Sequence, residues 1–348
     1  MSLPPVDTQF LLKFLTDLLN IPSPSGFTGG AMDFIETAFA PHPTVHLART
    51  TKGALVATMP GQHADQPRSI ATHVDTLGAM VKEIKSNGRL KLARIGGLLW
   101  NTVETEGCNV ITSGGESLRG SILYHKASGH VFKTKVLEGT RDEDSMEVRL
   151  DARTTSEKET RALGIDVGDF VMIDPRVEVT NNFVRSRFLD DKACVACVLA
   201  AVKSLYGAGL VPVQKTSLFF SNYEEVGHGA ASGIPADAKE LLVLDMAVVG
   251  EGQTSDEFHC SLCAKDASGP YHHGMSQRLR QLAQSNGIAY KVDVYTYYGS
   301  DGSAFLRAGG DVNVALIGPG IEASHNYERT HLDALVATTQ WILAYLIN

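Results

Sequence analysis

The sequence predicts an α/β protein, a mostly parallel sheet flanked by helices and interrupted by an inserted all-β domain. Three observations predict it. Strand-like and helix-like segments alternate near the start and again from about residue 178 onward, the pattern of a parallel sheet covered on both faces. Between residues 77 and 177 that alternation stops, and short β-prone runs follow one another between turns. The length of 348 residues suits one large domain or two. The expected organisation is a discontinuous domain of residues 1–76 and 178–348, with residues 77–177 inserted.

The elements follow in order. TQFLLKFLTDLLN carries apolar residues at helical spacing and stops ahead of Pro22. The turn-rich IPSPSGFTGG leads to a second helix, AMDFIETAF. TKGALVATMPG and RSIATHVD read as strands around a polar loop. In the middle block, VKEIKSNGRLKLARIGG predicts a hairpin about Asn87-Gly88, and GCNVITSG, RGSILYH, SMEVRLDA and GDFVMIDP read as further short strands. A helix is expected from Lys192 to Tyr206, then a strand TSLFFSN, a helix-compatible AASGIPADA and a strand ELLVLDM. FHCSLCAKD suggests an edge strand, and HHGMSQRLRQLAQSNG a helix capped by Asn286-Gly287. AYKVDVYT and DVNVALIG close the strand list, and LDALVATTQWILAYL is the last helix.

Composition narrows the function. Hydrophobic residues at 43% and charged residues at 20% suit a globular core. The longest apolar run, Cys194 to Val202, is too short to span a bilayer, and MSLPPVDTQF lacks a signal-peptide layout. No membrane association is expected, and a cytoplasmic location is. A formal charge of −8 without any block of Lys and Arg argues against nucleic acid as a partner. Five cysteines form two C-x-x-C pairs, Cys194/Cys197 and Cys260/Cys263. The first lies in an apolar helical stretch and the second in a strand, where residues three apart face opposite ways, so a four-thiolate zinc site is not expected.

Ligands of open α/β sheets gather at the carboxyl ends of strands. The polar residues there are His73 and Asp75, Asp190 and Asp191, Glu224 and Glu225, Asp245, and His325. Each has an ordinary reading, as a helix cap, a solvated acid pair or a hydrogen-bonded imidazole. Their joint placement at five strand ends makes a nitrogen and oxygen donor set suited to zinc, cobalt or manganese. The G-x-S-x-G, phosphate-loop and H-E-x-x-H motifs are absent, and Gly250-Glu251-Gly252 lacks the third glycine of a dinucleotide fingerprint. His228, His259, His272, His273 and His331 are expected at surface or hydrogen-bonding positions, His331 being the nearest rival of His325.

At ATHVDTLGAMV, RFLDDKACVACVLAAV, YEEVGHGAA, LLVLDMA, GSDGSAF and SHNYERTH the chain resembles the glutamyl aminopeptidase, deblocking aminopeptidase and endoglucanase M family of di-metal, tetrahedral-type aminopeptidases. The resemblance runs from IPSPSG to the last helix. It implies a zinc-exopeptidase-like fold and two divalent metal ions per subunit, zinc or cobalt first and manganese as a further candidate. His73 and Asp245 would complete the first site, Glu225 and His325 the second, and Asp190 would bridge them. Glu224 would be the general base and Asp75 would orient His73 from behind. A cis peptide bond is implied after the bridging residue, at Asp190-Asp191. The implied reaction is release of N-terminal residues from short peptides by a water activated between the metals. The implied assembly is a homo-oligomer, from dimer to dodecamer, with the inserted domain directing assembly and access.

Two rival readings remain, a related di-metal amidohydrolase or deacylase acting on N-acyl amino acids, and an inactive scaffold keeping the fold. The chain also departs from the family pattern at Asn222-Tyr223, His228-Gly229, Gly250-Glu251-Gly252 and Glu322-Ala323-Ser324. No proposed ligand is lost, but the specificity of known members does not transfer.

Overall fold

The computed structural model describes residues 2–348, which divide into two compact units: residues up to Asp75 with Arg176–Asn348, and Thr76–Pro175. The first unit begins with helices α1 (Thr8–Leu19) and α2 (Gly29–Thr37), then β1 (His46–Arg49), β2 (Leu55–Met59) and β3 (His63–His73). Asp7 starts α1 by accepting the Phe10 N–H, and the helix turns Leu11, Phe14, Leu15 and Leu18 inward.

The second unit contains β4 (Gly78–Ile84), β5 (Leu90–Ile95), α3 (Trp100–Val103), β6 (Gly107–Ile111), β7 (Ser117–Tyr124), α4 (Gly129–Phe132), α5 (Lys135–Glu138), β8 (Met146–Leu150), α6 (Glu157–Arg161) and β9 (Phe170–Ile173). Its strands close a barrel in the order β4-β5-β8-β7-β6-β9. Alternation fills the interior: Ala79 and Val81, Leu90 and Leu92, Cys108 and Val110 are fully buried or nearly so. The Asn87-Gly88 hairpin forms between β4 and β5, with Gly88 at φ 82°.

The chain then returns to the first unit with β10 (Glu178–Thr180), β11 (Phe183–Ser186), α7 (Leu189–Gly207), β12 (Gln214–Ser221), β13 (Glu240–Leu244), β14 (Ala247–Val249), β15 (Cys260–Asp266), β16 (Gly269–Pro270), α8 (His273–Ser285), β17 (Tyr290–Val294), α9 (Asp301–Arg307), β18 (Asn313–Glu322), β19 (Glu328–His331) and α10 (Leu332–Leu346). The sheet of this unit runs β1-β2-β12-β3-β13-β18-β19-β11-β10, with β14 and the group β15, β16 and β17 attached through β18. Its centre, β12-β3-β13-β18, is parallel. Its flanks are antiparallel.

Both faces are covered. Leu242 and Leu244 point into a core shared with α1, α7, α8 and α10, while Leu241 and Val243 face the other cluster. Helix α7 is buried almost all round, and its Ala193, Cys194, Ala196, Cys197, Ala200 and Ala201 keep it slim enough to lie between α1 and α10. Within it Lys192 donates to the carbonyls of Leu18 and Ile21 at the end of α1, and burial pushes its ammonium down to about 7.

The structure corrects several expectations. The sheet is mixed rather than mostly parallel, because β1 and β2 at one end and β10, β11 and β19 at the other add antiparallel flanks. The polar loop before RSIATHVD is the exposed first half of β3, polar because water covers it. AASGIPADA forms turns, since Gly233 has φ 103° and Pro235 lacks an N–H. β15 is no edge strand, lying between β18 and β17. Its Cys260 and Cys263 face opposite clusters, and burial pushes both thiols up to about 12, away from ligating thiolate. Among the described residues no helix is long and apolar enough to cross a membrane.

Candidate metal centre

Register brings the site together. Ser221 of β12 lies beside His73 of β3, and Val243 of β13 beside Ala71. The three strands therefore end level, and the residues that follow them share one rim. His73 ends β3, Glu224 and Glu225 lie in the turn after β12, and Asp245 follows β13. Gly318 in β18 has no room for a side chain, because a Cβ there would meet the carbonyl of Asp245. Asp190 comes from the start of α7, where Phe188 has a left-handed φ of 71° and the Asp190-Asp191 peptide is cis. His325 sits in the turn after β18, also left-handed at φ 64°.

These residues make two trios, His73 with Asp190 and Asp245, and Asp190 with Glu225 and His325, the candidate donor atoms of each lying within 4.8 Å of one another. Asp190 belongs to both. Its Oδ1 stands 3.2 Å from His73 Nε2 and its Oδ2 3.6 Å from His325 Nε2. His325 Nε2 is also 3.5 Å from Glu225 Oε2. Donors bound tetrahedrally at zinc distances stand about 3.4 Å apart, so the spacing fits. Glu224 Oε2 is 3.9 Å from His73 Nε2, at the edge of the first trio.

The protonation pattern fits as well. His73 Nδ1 lies 3.0 Å from the carbonyl of Asp75, which can only accept, so Nδ1 carries a hydrogen. Neutral His73 then turns a lone pair on Nε2 toward a carboxylate oxygen, and a proton or a cation must stand between them. Burial lowers the pKa of His73, but the hydrogen bond to Asp190 and the charges of Glu224, Asp191 and Asp245 outweigh it and hold it well above the usual value. Burial pushes Glu224, Glu225 and Asp245 well above the usual carboxylate range, and their acidic neighbours add to this. Asp190 is held low: burial opposes its charge, but His73, His325 and Ser324 favour it more. Once ionised, the four carboxylates Asp190, Glu224, Glu225 and Asp245 would together match the charge of two divalent cations. Zinc, cobalt or manganese suits this oxygen and nitrogen set.

A prediction follows for the cation-free protein. Its folded state holds protons on groups whose unfolded values are 4.5, 3.8 and 6.5 for Glu, Asp and His. Raised folded values mean that stability is lost as pH climbs through them. The melting temperature of chelator-treated protein should fall over the interval above about pH 6.5, where an unfolded imidazole gives up its proton and the folded His73 keeps it, and zinc or cobalt should flatten the slope. A melting temperature that rises over that interval without metal would reject the acidic-cluster account.

Three buried carboxylates stand behind the trios. Asp75 lies where expected, but its carboxylate Oδ1 is 3.6 Å from His73 Nδ1, and the imidazole hydrogen bond goes to its backbone carbonyl instead. The carboxylate accepts the N–H groups of Glu224 and Glu225 at 3.1 and 3.3 Å and the Ser25 hydroxyl at 2.5 Å. Asp191 accepts from the Thr72 hydroxyl and the His73 N–H, and burial pushes it up to about 8. Glu328 accepts the N–H groups of Asp190 and His325. Sequence reasoning gave no role to Glu328, nor to Ser324, whose hydroxyl donates to Asp190 Oδ2. The only signal for either was their place in SHNYERTH.

Three of the remaining imidazoles have other work. His331 accepts the Asp333 N–H at the start of α10, His272 caps α8, and His259 meets Asp256. Two departures from the family pattern pack on each other: the rings of Tyr223 and His228 stack at 4.9 Å beside Glu224. Lys52 donates to the carbonyls of His228 and Gly229 beneath them.

Comparison with known proteins identifies the family. The profile of the M42 glutamyl aminopeptidase family matches residues 53–341. The chain is 44% identical over 336 residues to the candidate aminopeptidase YhfE of Bacillus subtilis, covering 96% of each. An aminopeptidase from the archaeon Desulfurococcus kamchatkensis shares the fold at TM-score 0.87 and 21% identity, over 97% of this chain and 95% of that one. So does the TET1 peptidase of Pyrococcus horikoshii, described as assembling into a tetrahedron or a large octahedral shell, at TM-score 0.84 and 21% identity over 97% and 99%. The chain belongs to the M42 glutamyl aminopeptidase family and is a hydrolase of the exopeptidase kind.

Proposed function

We propose that this protein releases N-terminal residues from short peptides and needs two divalent metal ions per subunit to do so. The observation that carries the reading is the division of Asp190, with one oxygen toward His73 and the other toward His325. His73, Asp190 and Asp245 would hold one ion, and Asp190, Glu225 and His325 the other. Bound ions would polarise the scissile carbonyl and acidify a water molecule. Glu224 is the general base, taking the proton of the attacking water and passing it to the leaving amine. Burial favours that role, since a carboxylate with a raised pKa accepts a proton more readily. Asp75 positions the Glu224-Glu225 turn through its two N–H contacts. Adjacent acids thereby face separate tasks, Glu225 toward the second trio and Glu224 toward the first.

The barrel of Thr76–Pro175 is assigned to assembly and access, and the protein to a homo-oligomer between dimer and dodecamer. Support comes from the shells formed by a structural neighbour. The rival substrate class is N-acyl amino acids. Protein stripped by chelator and reloaded with zinc or cobalt should hydrolyse leucyl-, glutamyl- or lysyl-p-nitroanilide and leave N-acetyl amino acids intact. Turnover confined to the acylated compounds would replace this reading with a deacylase.

A further inference from the structure

Asp190 and His325 share an oddity of delivery. The first follows Phe188 at φ 71°, and the second lies at φ 64° two residues after Ala323 at φ 58°. Left-handed backbone is uncommon for residues with a Cβ and persists where surrounding contacts enforce it. No regular strand or helix hydrogen bonding sets His325, which stands in a turn between β18 and β19. His73 and Asp245 differ: His73 pairs with Ser221 in the parallel ladder of β3 and β12, and Asp245 directly follows β13 with its N–H on the Ile317 carbonyl of β18.

One side chain reaches both left-handed segments. Glu328 opens β19 opposite Ser186 of β11, a register that turns it inward until 2% of it is exposed. Its Oε2 accepts the Asp190 N–H at 3.1 Å, and its Oε1 the His325 N–H at 3.0 Å. The Leu189 N–H bonds to the same carboxylate. A carboxylate is the side chain that can accept on both oxygens at once. The contacts run to backbone, so Glu328 holds the frame that carries the two donors while leaving their side chains free.

Resting on the two-ion reading, we infer that Glu328 is a positioning residue for the second ion, fixing the separation of Asp190 and His325 and through it the affinity of the trio they form with Glu225. Glutamine keeps the shape but presents an amide NH2 to one of the N–H groups, so Glu328→Gln releases one segment without opening a hole. The first ion, anchored on strand ends, depends on Glu328 only through Asp190.

The test is a cobalt titration of chelator-stripped protein, followed by calorimetry and by the visible absorption of the bound cobalt. Wild type should show two binding events. Glu328→Gln should weaken one of them by roughly 10- to 100-fold, the size seen when a group supporting a ligand is lost, and leave the other within about twofold. Glu328→Asp, a shorter carboxylate, should fall between the two. Glu225→Ala is the control for the underlying reading. If it too leaves two events, or wild type shows fewer than two, the two-ion reading fails and the inference with it. If the control loses one event while Glu328→Gln keeps both or weakens both equally, the role of Glu328 alone is overturned. Failure of both Glu328 variants to fold, judged by circular dichroism in excess cobalt, would overturn it as well, making the residue a general support of the fold.

Discussion

Asp190→Asn is expected to reduce peptidase turnover on the order of 10⁴-fold or more, because one replacement damages both halves of the centre. Each oxygen of Asp190 faces a different imidazole, at 3.2 and 3.6 Å. The amide retains one oxygen and turns an NH2 toward the other partner, so at most one trio stays intact. The measurement is metal content after dialysis, alongside kcat on a p-nitroanilide. Fewer than two ions per chain and residual turnover near background are expected. The Asn variant also removes one charge from a buried acidic cluster, so the stripped protein should stay folded at neutral pH. Two tightly held ions with near-normal turnover would show that the two trios do not share a ligand.

Glu224→Gln should separate chemistry from binding. The side chain belongs to neither trio and is 16% exposed, against 5% for Glu225. Its loss should leave both ions in place and lower kcat by about 10³-fold, within the span for a lost general base. KM should change little, since the group acts on a proton in flight more than on the bound peptide. Retention of near-normal kcat would move the base elsewhere. Loss of metal instead would make Glu224 a ligand.

How much of this was legible in the sequence depended on what each residue announces locally. His73, Asp245 and Glu224-Glu225 follow the mostly apolar runs SIAT, LLVL and SLFFSNY, and a polar residue just past such a run marks a strand end. The parallel core of the sheet was readable for the same reason. Glu328 gave no such mark. In the run Glu328-Arg329-Thr330-His331 it stands beside Arg329, which pairs with Glu257 and Glu322 on a more exposed face. A Glu-Arg neighbour pair in a polar strand reads as solvated, and only the pairing with β11 turns Glu328 inward. Asp75 misled in the opposite way. The family resemblance implied a carboxylate behind the imidazole, yet the imidazole finds the backbone carbonyl, and the carboxylate is drawn to the two N–H groups of a turn far along the chain.

His73 and Asp190 are 117 positions apart, and the entire Thr76–Pro175 barrel is spelled out between them. Tethering chain ends across such an interval costs about 4 kcal/mol of loop entropy. Ions captured here would act as a latch on the assembled molecule, offsetting part of that cost and deepening its energy well.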